Sequence, residues 1–197
     1  MKSKQSPHNI QLGFDGAVKL LDFGVATRLK QPKVLGRRGK YAYMSPEAVA
    51  KQPLDHRSDL FALGVVLYEM VLGHRLFKCK SPDDTLARIS SGDIDKPKSL
   101  NPALPDELNE VILKALAVDP NARYQSGNEL AQALRDVGSS CNLDLGREAF
   151  VQYLEALYGD EIETRRQTLV ELAARSKAAQ DKRRRSEEHT SELQSPM

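Results

Sequence analysis

Hydrophobic residues near the start of the chain fall into a short, strand-like run. The run at residues 18–21 is rich in branched side chains and predicts a buried strand. The pair Asp15-Gly16 lies just before it and is typical of the tight turn between two antiparallel strands. The pattern therefore predicts a β-hairpin whose first strand is residues 10–12.

The most apolar stretch of the chain covers residues 59–73. Its hydrophobic side chains occur at every angle around a helical wheel, which predicts a helix that is buried on all sides. Gly73 is expected to end this helix. A long helix that would pack against one face of it was not recognised in the sequence, so we expect an uncovered apolar face there.

Three further helices are predicted from their start signals. Ser81 precedes a proline and two acidic residues, the usual order of an N-cap and a first turn. A second helix opens at Pro105 with apolar residues at helical spacing. Ser126 and Glu129 have the spacing of a capping box, so a third helix begins there.

The composition changes after Gly138. An apolar helical face runs as far as Tyr158, Gly159-Asp160 interrupts it, and a weaker face continues until the sequence becomes polar from Arg175 onward. We therefore predict two helices here, available for packing on the rest of the chain or on a partner.

Overall composition excludes several classes of protein. The net charge of +2 with 28% charged residues gives no reason to expect nucleic acid as a partner. No apolar run approaches the roughly 20 residues that a membrane span needs, and no signal-peptide core is present. Cys79 and Cys141 lack metal-site spacing and predict free thiols. We expect a cytoplasmic protein.

Five motifs occur in an order that is specific to one family. They are Pro7-x-Asn9, Asp22-Phe23-Gly24, the segment 39–47 that ends in Ser45-Pro46-Glu47, the segment 58–64, and the segment 119–124 that contains Arg123. Together they resemble the C-terminal lobe of a bacterial, eukaryotic-like protein serine/threonine kinase. The resemblance implies a protein-kinase-like α+β fold, C-lobe only, mainly helical with a small β-hairpin. The implied activity of the parent is transfer of the ATP γ-phosphoryl group to protein hydroxyls.

The resemblance also assigns the cofactor residues. Asn9 and Asp22 correspond to the two Mg²⁺ ligands that neutralise the phosphates of ATP. Gln11 lies where the family places an apolar residue beneath the adenine. Phe23 and Gly24 complete the motif, with Phe23 setting the state of the following loop.

The catalytic position departs from the family. Lys4 stands where the resemblance places the aspartate that accepts the proton of the substrate hydroxyl, and a cation cannot accept it. Two interpretations remain open: residues 1–5 are not the native start, or the protein is inactive. The upstream half of a kinase was not found either. Ser6 replaces a lysine that touches the γ-phosphate, and we predict that Lys40 supplies this contact.

Other assignments concern the substrate side. The family pairs Glu47 with Arg123 in a buried ion pair that holds the substrate loop, and Asp59 braces the backbone of the catalytic loop. Residues 25–44 contain six basic residues and no acid, which predicts a protein substrate with acidic character.

We expect residues 1–5 to be a doubtful start, 6–138 to be the partial kinase domain, and 139–184 a helical extension. Residues 185–197 are expected to be a disordered tail, since 185–195 resemble a translated sequencing-library adapter. The alternative to a kinase fragment is a truncated pseudokinase that acts as a protein-binding module through the basic residues of the segment 25–44 and through its C-terminal helices.

Overall fold

The computed structural model describes residues 7–21 and 41–192, except for the side chains of His8 and of residues 181–192. Contacts divide the chain into two compact units. One contains residues 1–13 and 17–145, and the other contains residues 14–16 and 146–197. The described part has one two-stranded sheet and seven α-helices, with one-turn 3-10 helices at Pro7–Asn9, Tyr41–Tyr43 and Pro120–Ala122. The strands are β1 (Ile10–Leu12) and β2 (Val18–Leu20), and the helices are α1 (Pro46–Val49), α2 (Arg57–Leu72), α3 (Pro82–Ser91), α4 (Pro97–Leu100), α5 (Asp106–Ala115), α6 (Gly127–Ser140) and α7 (Arg147–Glu192).

The predicted hairpin is present. β1 and β2 pair antiparallel with Ile10 opposite Leu20, and the Gly13 N–H donates to the Ala17 carbonyl at 2.7 Å. Gly16 has φ = 74°, a left-handed value that glycine adopts without strain. The prediction that the second strand is buried is wrong, because all three residues of β2 are exposed. Strand burial depends on the elements that pack over a hairpin, which the strand's own composition does not specify.

The core of the first unit is organised around α2. Phe61, Val65 and Tyr68 join one cluster with residues of α3 and α5, whereas Leu60 joins a second cluster with α5 and α6. The uncovered apolar face expected on α2 is not found, since Met70 is the one apolar residue of this helix that is classed as exposed. The helix ends, as predicted, at Gly73 with φ = 70°.

The predicted N-caps are present, with one difference in detail. The Ser81 side chain accepts a hydrogen bond from the Asp84 N–H, and that of Ser126 accepts one from the Glu129 N–H at 3.1 Å. The reciprocal bond of the capping box is shifted by one residue, because the Glu129 carboxylate accepts from the Gln125 N–H at 2.7 Å.

The second unit consists of α7 and the hairpin turn. Arg147, at the start of α7, donates through Nε to the Asp15 carbonyl at 2.6 Å and pairs with its carboxylate at 2.9 Å. Two helices with a break at Gly159 were predicted. The structure has one assigned helix with non-helical angles at Tyr158, so the break lies one residue earlier.

The assigned helix continues to Glu192, whereas disorder was expected from residue 185. Residues 174–192 are rich in alanine, glutamate and basic residues, which favour helix without any tertiary contact. The other domain boundaries remain predictions. Within the described ranges, no helix combines the length and hydrophobicity that crossing a membrane requires.

Candidate functional site

The Arg123 side chain is the most completely bonded group described in the first unit. It is 1% exposed, and all five guanidinium N–H groups have an acceptor. Two of them bind the Glu47 carboxylate at 2.7 and 2.9 Å. The other three go to main-chain carbonyls of Arg57, Ala117 and Val118 at 2.7–3.1 Å. One side chain therefore joins α1, the start of α2 and the segment that follows α5.

Glu47 lies in the first turn of α1 and is equally enclosed, with 5% of its surface exposed. Its carboxylate accepts a third hydrogen bond from Ser58 Oγ at 2.6 Å. Burial alone raises the pKa of Glu47, but the bonds from Arg123 and Ser58 outweigh it and lower the pKa to about 2. The Glu47 carboxylate is therefore ionised at neutral pH, and its bonds to Arg123 fix the position of α1.

The turn that precedes α1 is held by a second carboxylate. The Tyr43 hydroxyl donates to Glu69 Oε2 at 2.7 Å, and the Leu76 N–H donates to Glu69 Oε1 at 3.3 Å. Burial and the hydrogen-bonded Glu69 carboxylate raise the pKa of Tyr43 well above its usual value, so its hydroxyl stays protonated. The Tyr41–Tyr43 turn also packs against α2 and α3.

The hairpin places Asn9 beside the end of β2. The Leu21 N–H donates to the Asn9 carbonyl at 2.7 Å, so Asn9 lies across the hairpin from the residue before Asp22. Asn9 and Leu21 therefore lie together at the open end of the hairpin, and Asp22 follows Leu21 in the sequence. Gln11 is exposed at the centre of β1, opposite Lys19. No cluster of three or more metal-ligating side chains occurs among the described residues, and a kinase-type Mg²⁺ site needs only two, with ATP phosphates supplying further oxygens.

Several predicted residues lie outside the described part of the chain. These are Lys4, Asp22, Phe23, Gly24 and Lys40. Asp59 is described and lies half-buried in the first turn of α2, whereas most of the catalytic loop that it was predicted to brace is outside the described ranges. The roles of all these residues remain predictions.

The arrangement of hairpin, fixed α1 and buried α2 has a counterpart in known proteins. The family model described as "Protein kinase domain" matches residues 6–135, about two thirds of the chain. This chain belongs to the protein kinase domain family. The mostly helical fold with one small hairpin corresponds to part of such a domain.

Three of the kinases that this chain resembles are bacterial. The tyrosine-protein kinase MasK of Myxococcus xanthus is 36% identical over 85% of this chain. The serine/threonine-protein kinase PrkC of Bacillus subtilis is 32% identical over 63% of it, and a probable serine/threonine-protein kinase of Clostridium perfringens is 33% identical over 73%. The chain spans between a fifth and about a quarter of the length of these three relatives.

A solved structure supports the fold assignment. The kinase region of twitchin from Caenorhabditis elegans matches 60% of this chain with a TM-score of 0.50 and 27% sequence identity. The MasK match is longer than the kinase-domain match. Because only five residues precede residue 6, most of its extra length must lie after residue 135, so the two proteins also resemble each other in part of the C-terminal extension.

Sequence reasoning missed the bond between Tyr43 and Glu69 in this kinase domain. The motif at residues 39–47 contained Tyr43 without a role, and the partners are 26 residues apart. A usable signal was Glu69 itself, which is the single acidic residue in the apolar run 60–73. A lone charge in a buried helix needs a partner.

Proposed function

We propose that residues 6–138 form the substrate-side lobe of a protein serine/threonine kinase, and that this lobe holds a protein hydroxyl in position for the γ-phosphoryl group of ATP. The buried Glu47–Arg123 pair carries the proposal. It anchors α1, and the preceding Tyr41–Tyr43 turn is tied to α2 by the Tyr43–Glu69 bond. The segment between residues 41 and 49 is therefore rigid, as a platform for a peptide must be.

Asn9 and Asp22 are the residues that we propose to hold Mg²⁺ with ATP. Their amide and carboxylate oxygens are hard donors of the kind that Mg²⁺ prefers. When bound, the metal neutralises the charge on the transferred phosphate. The hairpin supports this assignment, because its register keeps Asn9 next to the residue that precedes Asp22.

Lys4 leads us to propose that this chain alone transfers no phosphate. General-base assistance is typically worth 10²–10⁴-fold, and the resemblance places a lysine where the base belongs. We also expect the full chain to bind Mg-ATP weakly or not at all, which isothermal titration measures.

The proposal can be tested by exchanging lobes. In PrkC, the segment that aligns with this chain is replaced by residues 6–138 in one protein and by residues 2–138 in a second. The first keeps the relative's own residues at the catalytic position, whereas the second carries Lys4. We expect the first to phosphorylate a peptide and the second to be slower by roughly 10²–10⁴-fold.

Two controls give the exchange its meaning. Asp22→Asn in the first protein should reduce the rate by roughly 100-fold or more, because the negative charge that holds the metal ion is lost. Lys19→Gln, an exposed change on the same hairpin, should leave it unchanged. A folded first protein that binds nucleotide but transfers no phosphate would refute the proposal.

A second candidate is a pseudokinase that acts as a binding module. The observation that favours it is the exposed apolar surface of α7, where Leu157, Leu169 and Val170 are each more than half exposed. In this case the first exchanged protein is inactive, while the full chain is a well-folded monomer that captures a partner through α7. Replacing Leu169 and Val170 with serine should then abolish capture.

A further inference from the structure

The segment that joins α2 to α3 carries a concentration of positive charge. Residues 74–80 contain Arg75, Lys78 and Lys80, together with His74, and have no acidic residue. All four side chains are exposed. None of them belongs to an ion pair within the described ranges. We call residues 74–80 the basic loop.

The basic loop is anchored rather than free. Leu76 and Phe77 at its centre are 3% and 4% exposed, and the Phe77 ring stacks on that of Phe61 with centroids 6.5 Å apart. The Leu76 N–H bond to Glu69 fixes its main chain. The charged residues on either side of Leu76 and Phe77 are therefore presented from a fixed base, which lowers the entropy cost of binding a partner.

The loop adjoins the proposed peptide platform. It connects α2 and α3, and both helices contact the Tyr41–Tyr43 turn. Glu69 links the two directly, since one of its oxygens accepts from Tyr43 and the other from Leu76. The positive charge of Arg75 is close enough to Tyr43 to oppose the rise of that residue's pKa.

The same contacts indicate whether the basic loop would bind an acidic or a basic ligand. Glu69 is the acid nearest in sequence to the basic loop on its α2 side, and each of its oxygens already accepts a hydrogen bond from inside the protein. A basic residue of a ligand would have to compete with both bonds. An acidic residue of a ligand meets exposed cations that have no ion-pair partner among the described residues.

We propose that the basic loop recognises acidic residues of a serine- or threonine-containing peptide, and that Arg75 is a specificity-determining residue. The inference rests on the proposed function, because it takes the Tyr41–Tyr43 turn as part of the peptide platform. A preference for acidic peptides was already expected from residues 25–44. The inference adds a second source of that preference, residues 74–80, which the structure describes.

The test uses the full chain and three fluorescein-labelled peptides. Each has one serine, flanked by glutamate in the first peptide, glutamine in the second and lysine in the third. Fluorescence anisotropy gives the three dissociation constants at low and at high salt. We expect the glutamate peptide to bind most tightly, and its advantage over the glutamine peptide to shrink at high salt.

Substitutions then locate the contact. Arg75→Glu should weaken binding of the glutamate peptide by roughly 5-fold, within the range of exposed charge pairs, while Arg75→Lys keeps most of the affinity. The matched control is Arg135→Glu, the same change at an exposed arginine of α6, a helix that packs against α5. This control should leave the affinity unchanged.

Three results would overturn the inference. The first is equal binding of the glutamate and glutamine peptides, which includes no binding of either. The second is a loss of affinity with Arg135→Glu as large as that with Arg75→Glu. The third is a single-stranded DNA oligonucleotide that binds as tightly as the glutamate peptide and depends on Arg75 in the same way. Failure of the proposed function would be seen in a different experiment, the lobe exchange, in which the first exchanged protein would be inactive. An active exchange whose kcat/KM does not favour the glutamate peptide would leave the function standing and refute the inference.

Discussion

The same residue type begins two helices of this chain and has a different energetic effect in each. Ser126 Oγ accepts a hydrogen bond from the Glu129 N–H and caps α6. Ser45 begins α1 without a side-chain cap bond. Its hydroxyl is buried and has no hydrogen-bond partner in the described structure. A buried hydroxyl without a partner opposes folding, whereas a capping hydroxyl favours it.

We therefore expect serine-to-alanine substitutions of opposite sign. Ser45→Ala should raise the free energy of unfolding by about 1 kcal/mol, because a desolvated polar group is removed. Ser126→Ala should lower it by about 1 kcal/mol through loss of the cap. Urea denaturation of both variants beside the parent chain measures the two changes, and a loss of stability with Ser45→Ala would contradict the account of that site.

The Glu47 carboxylate makes stability depend on pH in a defined window. Its pKa is about 2 when folded and near 4.5 when not, so the unfolded chain binds the proton more readily as pH falls. The contribution is complete above pH 4.5 and is lost as the pH falls toward 2. By linkage it amounts to about 3 kcal/mol, which urea denaturation from neutral pH downward should record.

Two variants test whether Glu47 causes this loss of stability at low pH. Ser58→Ala removes the hydrogen bond to Glu47 and should shift the loss of stability to higher pH, because the carboxylate is then less stabilised as an anion. Glu110→Gln changes an exposed carboxylate of α5 and should not move it. If Ser58→Ala does not change the pH at which stability is lost, a group other than Glu47 is responsible.

At the scale of the element, α2 and α5 approach each other closely in the core. A Cβ atom at Gly64 would lie 2.9 Å from the Cβ of Ala115, which is shorter than atoms tolerate. The helices can pack at this distance only because position 64 has no side chain. The absence of a side chain there is consequently a packing requirement.

Gly64→Ala should therefore destabilise the chain by roughly 1–3 kcal/mol, despite the better helix propensity of alanine. The control is Gly127→Ala in the first turn of α6, where nothing lies within 4 Å of an added Cβ. That change should be neutral or slightly stabilising. Thermal unfolding of both variants gives the comparison, and similar midpoints for the two would refute the packing argument.

The elements that were predicted correctly depend on local signals. The start of α3, the start of α6 and the end of α2 each follow from residues within four positions of the boundary. The failures involve distance along the chain. Whether β2 is buried depends on what covers the hairpin, and the partner of Tyr43 is 26 residues away. Neither fact is encoded in a short window of sequence.

The same division applies to the candidate site. Glu47 and Arg123 were named as partners because an ordered set of motifs resembled a family, since nothing local relates residues that lie 76 positions apart. The motif residues Asp22, Phe23 and Gly24 lie outside the described ranges, so for them the resemblance remains the basis.

At the scale of the whole molecule, the resemblance implies that a lysine has been lost at one position and gained at another. Ser6 stands where the resemblance implies a lysine, and we propose that Lys40 supplies the missing ammonium group. In the active lobe exchange that carries residues 6–138, Lys40→Ala should cut phosphotransfer sharply if its ammonium contacts the γ-phosphate. Lys51→Ala, at an exposed lysine after α1, is the control. An unchanged rate with Lys40→Ala would refute this role.

The five bonds of Arg123 also have a consequence for synthesis on the ribosome. Glu47, Arg57 and Ser58 are translated long before residue 123. Until Arg123 emerges, closing α1 onto α2 would bury the Glu47 carboxylate without its cation, and removing one partner of such a pair costs about 3–5 kcal/mol. The nascent first half of the unit therefore gains little by closing early, and its segments come together when the arginine arrives.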